Sequence, residues 1–257
     1  MPPSTPTTPS TSPFNPLPLS RLSLPSTPLL HAALSFLTTH TTPPTKNHSL
    51  RSAFFALLLL PPLLLAILLH DLGWSTTPAL LTPSSTKRRF EVSGADIARD
   101  FLLSHSPGED SARVQLVWDA IALHTTPSIA AHKEVEVAVA AMGIAADFEG
   151  AWFSADPTGE PKLGGLISVE EHREVVRAFP REGFREELVG IMCGLCRDRP
   201  ETVVDNFVGE FGVVFGLDGE GGGREEWRAR MEAGGVVGRL MGGLERAREV
   251  EEGDVGE

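Results

Sequence analysis

Four residues of this 257-residue chain carry donor groups that a divalent cation accepts: His48, the adjacent pair His70-Asp71, and Asp147. Neutral imidazoles and carboxylates suit zinc, iron or manganese, and a set of two His and two Asp leaves positions on the ion for water. Each residue also has an ordinary structural role open to it. His48 stands where a helix start would use a capping or surface side chain, and Asp147 follows a helical stretch, where a local hydrogen bond would occupy it. Their order and setting favour a site, because they fall on separate helical segments with apolar walls. Cys193 and Cys196 have redox-like spacing but no second pair to complete four ligands, and read as two buried thiols on a helix. The glycines at 219 and 221–223 follow no strand and precede no Lys-Ser/Thr, so they form a turn rather than a phosphate loop.

The stretch 47–74 has to position three of the four donors. Its run 53–69 is 17 uncharged residues, short of the ~20 needed to cross a bilayer, and it is interrupted by Pro61-Pro62 and closed by an ionisable pair. Two buried helices meeting at the Pro-Pro break fit it better than a membrane span. Apolar residues recur at three- and four-residue steps around it and predict further helices, over 29–37, from about 94 to 103, 110–124, 128–142, 168–179, 183–196, 201–215 and 225–250. Thr41-Thr42-Pro43-Pro44 reads as the end of the first of these. Ser168 with Glu171 has the spacing of a capping box. No alternating strand pattern appears, and the chain reads as all-α.

The organisation follows from composition. Residues 1–28 are rich in Pro, Ser and Thr and carry only Arg21 as a charge, so they are expected to form a flexible tail. A helical core is expected over 29–216, followed by an acidic C-terminal helix and tail over 217–257. From Glu201 to the end there are 14 acidic and 6 basic residues. A formal net charge of −12 argues against a nucleic-acid partner held through phosphates and suits a small neutral or weakly charged substrate. With two cysteines and no basic region leading into a short apolar block, a cytoplasmic protein is expected, with no membrane span and with self-association left open.

His48, His70-Asp71 and Asp147 follow the H…HD…D order of the HD-domain metalloprotein superfamily, an all-helical fold. More narrowly, Asn47-His48-Ser49-Leu50-Arg51, Leu68-Leu69-His70-Asp71-Leu72-Gly73, Arg89-Phe90-Glu91-Val92, Ile121-Ala122-Leu123-His124, Asp147-Phe148-Glu149-Gly150 and Phe179-Pro180-Arg181 resemble the cyanamide hydratase branch common in fungi. The similarity covers roughly 31–216. It implies one divalent ion, zinc first, with His48, His70, Asp71 and Asp147 as ligands, and addition of water to the nitrile carbon of cyanamide to give urea. Under that resemblance His124 is expected to act as acid/base or substrate-orienting donor, with a helix-terminal role equally open, and Glu91 to be mainly structural. Two other readings remain at this point, an HD phosphohydrolase acting on a nucleotide and a non-catalytic helical metal-binding protein. A second metal held by His124 and His132 is disfavoured by Pro127 between them.

Overall fold

Thr27 caps the first described helix: its hydroxyl accepts a hydrogen bond from the Leu30 amide at 3.2 Å, and Pro28 opens that helix, where a missing N–H costs nothing. The computed structural model describes residues 25–59, 64–75, 77–81, 87–149 and 167–253. The expected tail therefore lies outside the described residues up to position 24, as does the Pro61-Pro62 break. Among the described residues there are twelve α-helices and no strand, as the absence of alternation implies.

The first group is α1 (Pro28–His40), α2 (Pro43–Leu59), α3 (Leu64–Leu69), α4 (Phe90–His105), α5 (Ser111–Ala122), α6 (Pro127–Ala130) and α7 (Val135–Glu149). They enclose one core, in which Leu37, Ala56, Ile67, Leu69, Ala98, Ile121 and Val137 have no or almost no exposure. All six side chains of α3 are buried. Two boundaries differ from the sequence reading for physical reasons. Pro43-Pro44 starts α2 instead of only ending α1, because proline's fixed φ suits the first helical turn. The expected helix over 128–142 is instead a four-residue α6 followed by α7, which runs on past Gly143 to Glu149 and so carries Asp147 in its last turn.

Gly143 is the reason that extension is possible. The pairing of α2 with α7 is the most extensive between any two helices, and a Cβ at Gly143 would lie 2.4 Å from the Ala56 side chain and 2.8 Å from its Cα. A helix-weakening residue is tolerated because it brings the two backbones together. Gly143→Ala should therefore cost about 1–3 kcal/mol despite alanine's better helix propensity, read as a lower urea midpoint at unchanged slope.

The second group is α8 (Val169–Ala178), α9 (Phe184–Asp198), α10 (Val208–Phe215), α11 (Arg224–Gly234) and α12 (Val236–Glu252). The capping box at Ser168 and Glu171 is formed in full at the start of α8. A second core gathers Phe90, Met192, Cys196, Val204, Val208 and Trp227, and the Trp227 indole N–H donates to the Gly209 carbonyl at 2.8 Å. The single helix expected over 225–250 is divided at Gly234-Gly235 into α11, anchored by Trp227, and α12, which has no buried residue. Cys193 and Cys196 are both buried and unpaired, with burial pushing both thiols up, as expected of thiols with a packing role. No described helix is long and apolar enough to cross a membrane.

Candidate metal centre

α2 presents His48 and Arg51 three residues apart on one face, both buried. His70 and Asp71 fill the turn between α3 and the 3-10 turn Leu72–Trp74, where Asp71 makes no capping bond and keeps its carboxylate for the site. This turn is held tightly against the start of α4: a Cβ on Gly73 would lie 2.1 Å from the Phe90 carbonyl oxygen. His124 stands in the turn after α5.

Three donor atoms converge. His48 Nε2 lies 3.3 Å from His70 Nε2 and 3.6 Å from Asp71 Oδ2, and His70 Nε2 lies 3.0 Å from that same oxygen. Donors bound at ~2.1 Å around a tetrahedral ion are separated by about 3.4 Å, so the spacing is that of a coordination shell. The outer hydrogen bonds fix the tautomers. His70 Nδ1 donates to the Ile67 carbonyl at 2.7 Å and His48 Nδ1 donates to Asp147 Oδ2 at 2.6 Å, which leaves the Nε2 atom of each neutral ring as a lone pair aimed inward. Both oxygens of Asp71 are buried and have no hydrogen-bond partner. Inward lone pairs beside a buried carboxylate call for positive charge, a proton or a metal ion, and His48, His70 and Asp71 are placed so that they could hold the ion.

The electrostatics agree with that requirement. Burial lowers the pKa of His48 despite the nearby carboxylates. At His70 burial is the largest influence and opposes the charged form, but the charge and hydrogen bond of Asp71, the Ile67 carbonyl and Asp147 together outweigh it and the pKa rises, so without a cation this pair would hold a proton in its place. Asp71 is correspondingly lowered, its burial overcome by His70 and His48.

Asp147, grouped with the ligands in the sequence, is placed elsewhere. Its oxygens face the outer nitrogen of His48 and two arginines: Arg51 Nε donates to Oδ1 at 2.7 Å, Arg51 Nη2 to Oδ2 at 2.8 Å, and Arg181 Nη2 to Oδ1 at 2.7 Å. Arg51 Nη1 also donates to the Phe179 and Pro180 carbonyls at 3.0 Å. Although burial opposes ionisation, His48 and Arg51 hold the Asp147 carboxyl well below the usual carboxylate range. A carboxylate behind a metal-binding imidazole fixes the ring's orientation and raises its basicity.

His124 is 8% exposed and its Nε2 lies 3.8 Å from Asp71 Oδ1, while Nδ1 donates to the Ile121 carbonyl at 2.6 Å. Burial, with His70 nearby, pushes its pKa down to about 4, so the ring is neutral at pH 7 and Nε2 accepts. Glu91 is buried and accepts from Arg89 Nη2 and Thr125 Oγ1, both at 2.6 Å, which ties the start of α4 to the turn carrying His124. His132 is exposed and stands outside the described donor cluster. His172 stacks on Phe55 with ring centres 5.3 Å apart, a contact between α8 and α2.

A cavity of about 340 Å³ opens onto the cluster, with Thr125, Phe148 and Met192 among its walls. Arg51 and Arg181 as the clamp on Asp147, Thr125 beside His124, and the α9 and α10 walls were not assigned to the site from sequence. The first had a signal in the three-residue step from His48; the walls had none, being set by long-range packing.

Residues 45–167 match the family model described as HD domain, a span that includes His48, His70, Asp71, His124 and Asp147. This stretch of the chain is similar to HD domains, and the match supports a metal-dependent hydrolase- or lyase-type activity with a divalent ion. A search of curated proteins finds no match to the chain.

Proposed function

We propose that the protein is a metal-dependent hydratase that adds water to a nitrile-like carbon, cyanamide to urea being the reaction its sequence motifs imply, with zinc as the metal. The observation that carries this reading is the character of the cavity. Among the described residues no Lys or Arg lines it, whereas a nucleotide phosphohydrolase needs cations for its substrate's phosphates. Arg51 and Arg181 are turned to Asp147, and Arg89 to Glu91.

When bound, such an ion lowers the pKa of its water from 15.7 to about 7 and so supplies hydroxide-like reactivity at neutral pH. His48, His70 and Asp71 hold it in this reading, and Asp147 fixes His48 from behind. The neutral Nε2 of His124 accepts a hydrogen bond from the attacking water or a substrate N–H and orients it over the cluster. The apolar walls exclude bulk water, which strengthens each of these contacts.

Asp147→Asn is expected to weaken metal affinity 10–100-fold, measured by competition with a chelator at pH 7; a far larger loss would mark Asp147 as a direct ligand. His124→Ala should lower kcat about a hundredfold while metal content stays at one ion per chain. The reading as a whole is tested by elemental analysis coupled to urea formation from cyanamide, with phosphate release from nucleotides measured alongside. Phosphate release without urea would reverse the choice, and a purified chain unable to hold stoichiometric metal would reject both enzymes.

A further inference from the structure

The HD match ends at residue 167, yet one wall of the cavity comes from beyond it. Leu188 and Met192 reach it from α9, Phe207 from the turn before α10, and Phe211 from α10 itself. This wall is built into the second core. Met192 is fully buried beside Cys196, Val208 and Trp227, and Phe207 packs edge-on against Phe90, with ring centres 6.3 Å apart, and against Phe211 at 6.2 Å.

Two properties of the space decide what it accepts. First, it is large for the smallest nitriles. A molecule of three heavy atoms would leave most of about 340 Å³ to water, and water against such walls finds few of the polar partners that hold it. Second, no described Lys or Arg lines it to neutralise an anion, and of its two carboxylates Asp71 faces His48 and His70 while Glu149 is exposed, where water screens its pull on a cation. Cavities of this size and lining bury the apolar body of an organic ligand and leave its polar end to a few fixed groups.

Building on the hydratase reading, we propose that the wall formed by Leu188, Met192, Phe207 and Phe211 determines specificity, and that the substrate is an uncharged cyanamide or nitrile carrying an aromatic or branched alkyl group. The apolar body lies on this wall and the C≡N group points to His48, His70 and Asp71. The chemistry needs no partner beyond water: a C–O bond forms at the nitrile carbon, one C–N π bond breaks and its electron pair takes one of the water's protons on nitrogen, and the remaining O–H proton then passes to the same nitrogen as C=O forms and the second C–N π bond breaks. A substituted urea or amide results.

The test compares kcat/KM of the metal-loaded full chain for N-benzylcyanamide and for cyanamide. The expected result is a preference of about tenfold or more for the benzyl compound, the return on burying one ring. In Phe211→Ala that ratio should fall several-fold, and Phe211→Leu should restore part of it, with metal content confirming that each variant has folded. Urea formed from cyanamide as fast as or faster than benzylurea from its analogue would overturn this inference while leaving the hydratase reading intact. If neither compound is hydrated, the hydratase reading fails and this inference falls with it.

Discussion

Replacing Asp71 by Asn is expected to empty the metal site and reduce turnover by at least on the order of a thousandfold. Asp71 supplies the negative charge within the converging trio, and both its oxygens are buried with nothing else to hold them. An amide of the same shape keeps the packing but presents a neutral oxygen and an N–H to a space where His48 and His70 direct lone pairs. The measurement is metal per chain after dialysis, beside urea formation. Because Asp71 also holds a proton on His70 when no ion is bound, the metal-free variant should be somewhat less stable than the metal-free wild type at pH 7 in urea unfolding. A variant that retained one ion and full turnover would show that the converging trio is not the centre of the chemistry.

The largest loss of stability is expected from Arg51→Met. Arg51 is completely buried, grips Asp147 through two nitrogens and binds the carbonyls of Phe179 and Pro180. Methionine fills part of the volume but leaves the carboxylate with only Arg181 and His48, and removes the donor from the part-buried Phe179 and Pro180 carbonyls. Breaking a buried ion pair from one side costs about 3–5 kcal/mol. The pH dependence has a definite sign. Asp147 has its folded pKa depressed, so its contribution is present above the unfolded value near 4 and is lost as pH falls below it. Wild type should therefore lose stability more steeply than Arg51→Met on acidification below about pH 4. Urea midpoints at pH 7 and pH 3.5 check both statements, and a loss under 1 kcal/mol at pH 7 would show that Arg181 alone suffices.

Much of this was legible before any coordinates. The helical class followed from apolar residues at three- and four-residue steps, and His48, His70 and Asp71 were found from donor chemistry and order alone, because buried imidazoles and carboxylates on apolar helices have few other uses. Asp147 was expected as a fourth ligand, whereas its oxygens face the outer nitrogen of His48, Arg51 and Arg181. Whether a carboxylate meets the inner or outer nitrogen of a histidine is settled by ångström-scale packing. Here that packing depends on α2 starting at Pro43 and on α7 continuing through Gly143, two positions where local propensity points the other way and tertiary contact wins. His124, expected as an acid/base or orienting donor or as a helix-terminal residue, stands beside the cluster with its Nδ1 on the Ile121 carbonyl, a contact that the sequence does not reveal. The cavity wall depends on α9 and α10 packing across the start of α4, and pairings of such long range leave no periodic trace in the sequence.

The burial of α3 determines how the site is held. Every side chain from Leu64 to Leu69 is covered by other elements. His70 and Asp71 follow that stretch directly, so their positions are set by the whole surrounding core rather than by their own segment, and a substitution that loosens packing around α3 reaches the site without touching a donor.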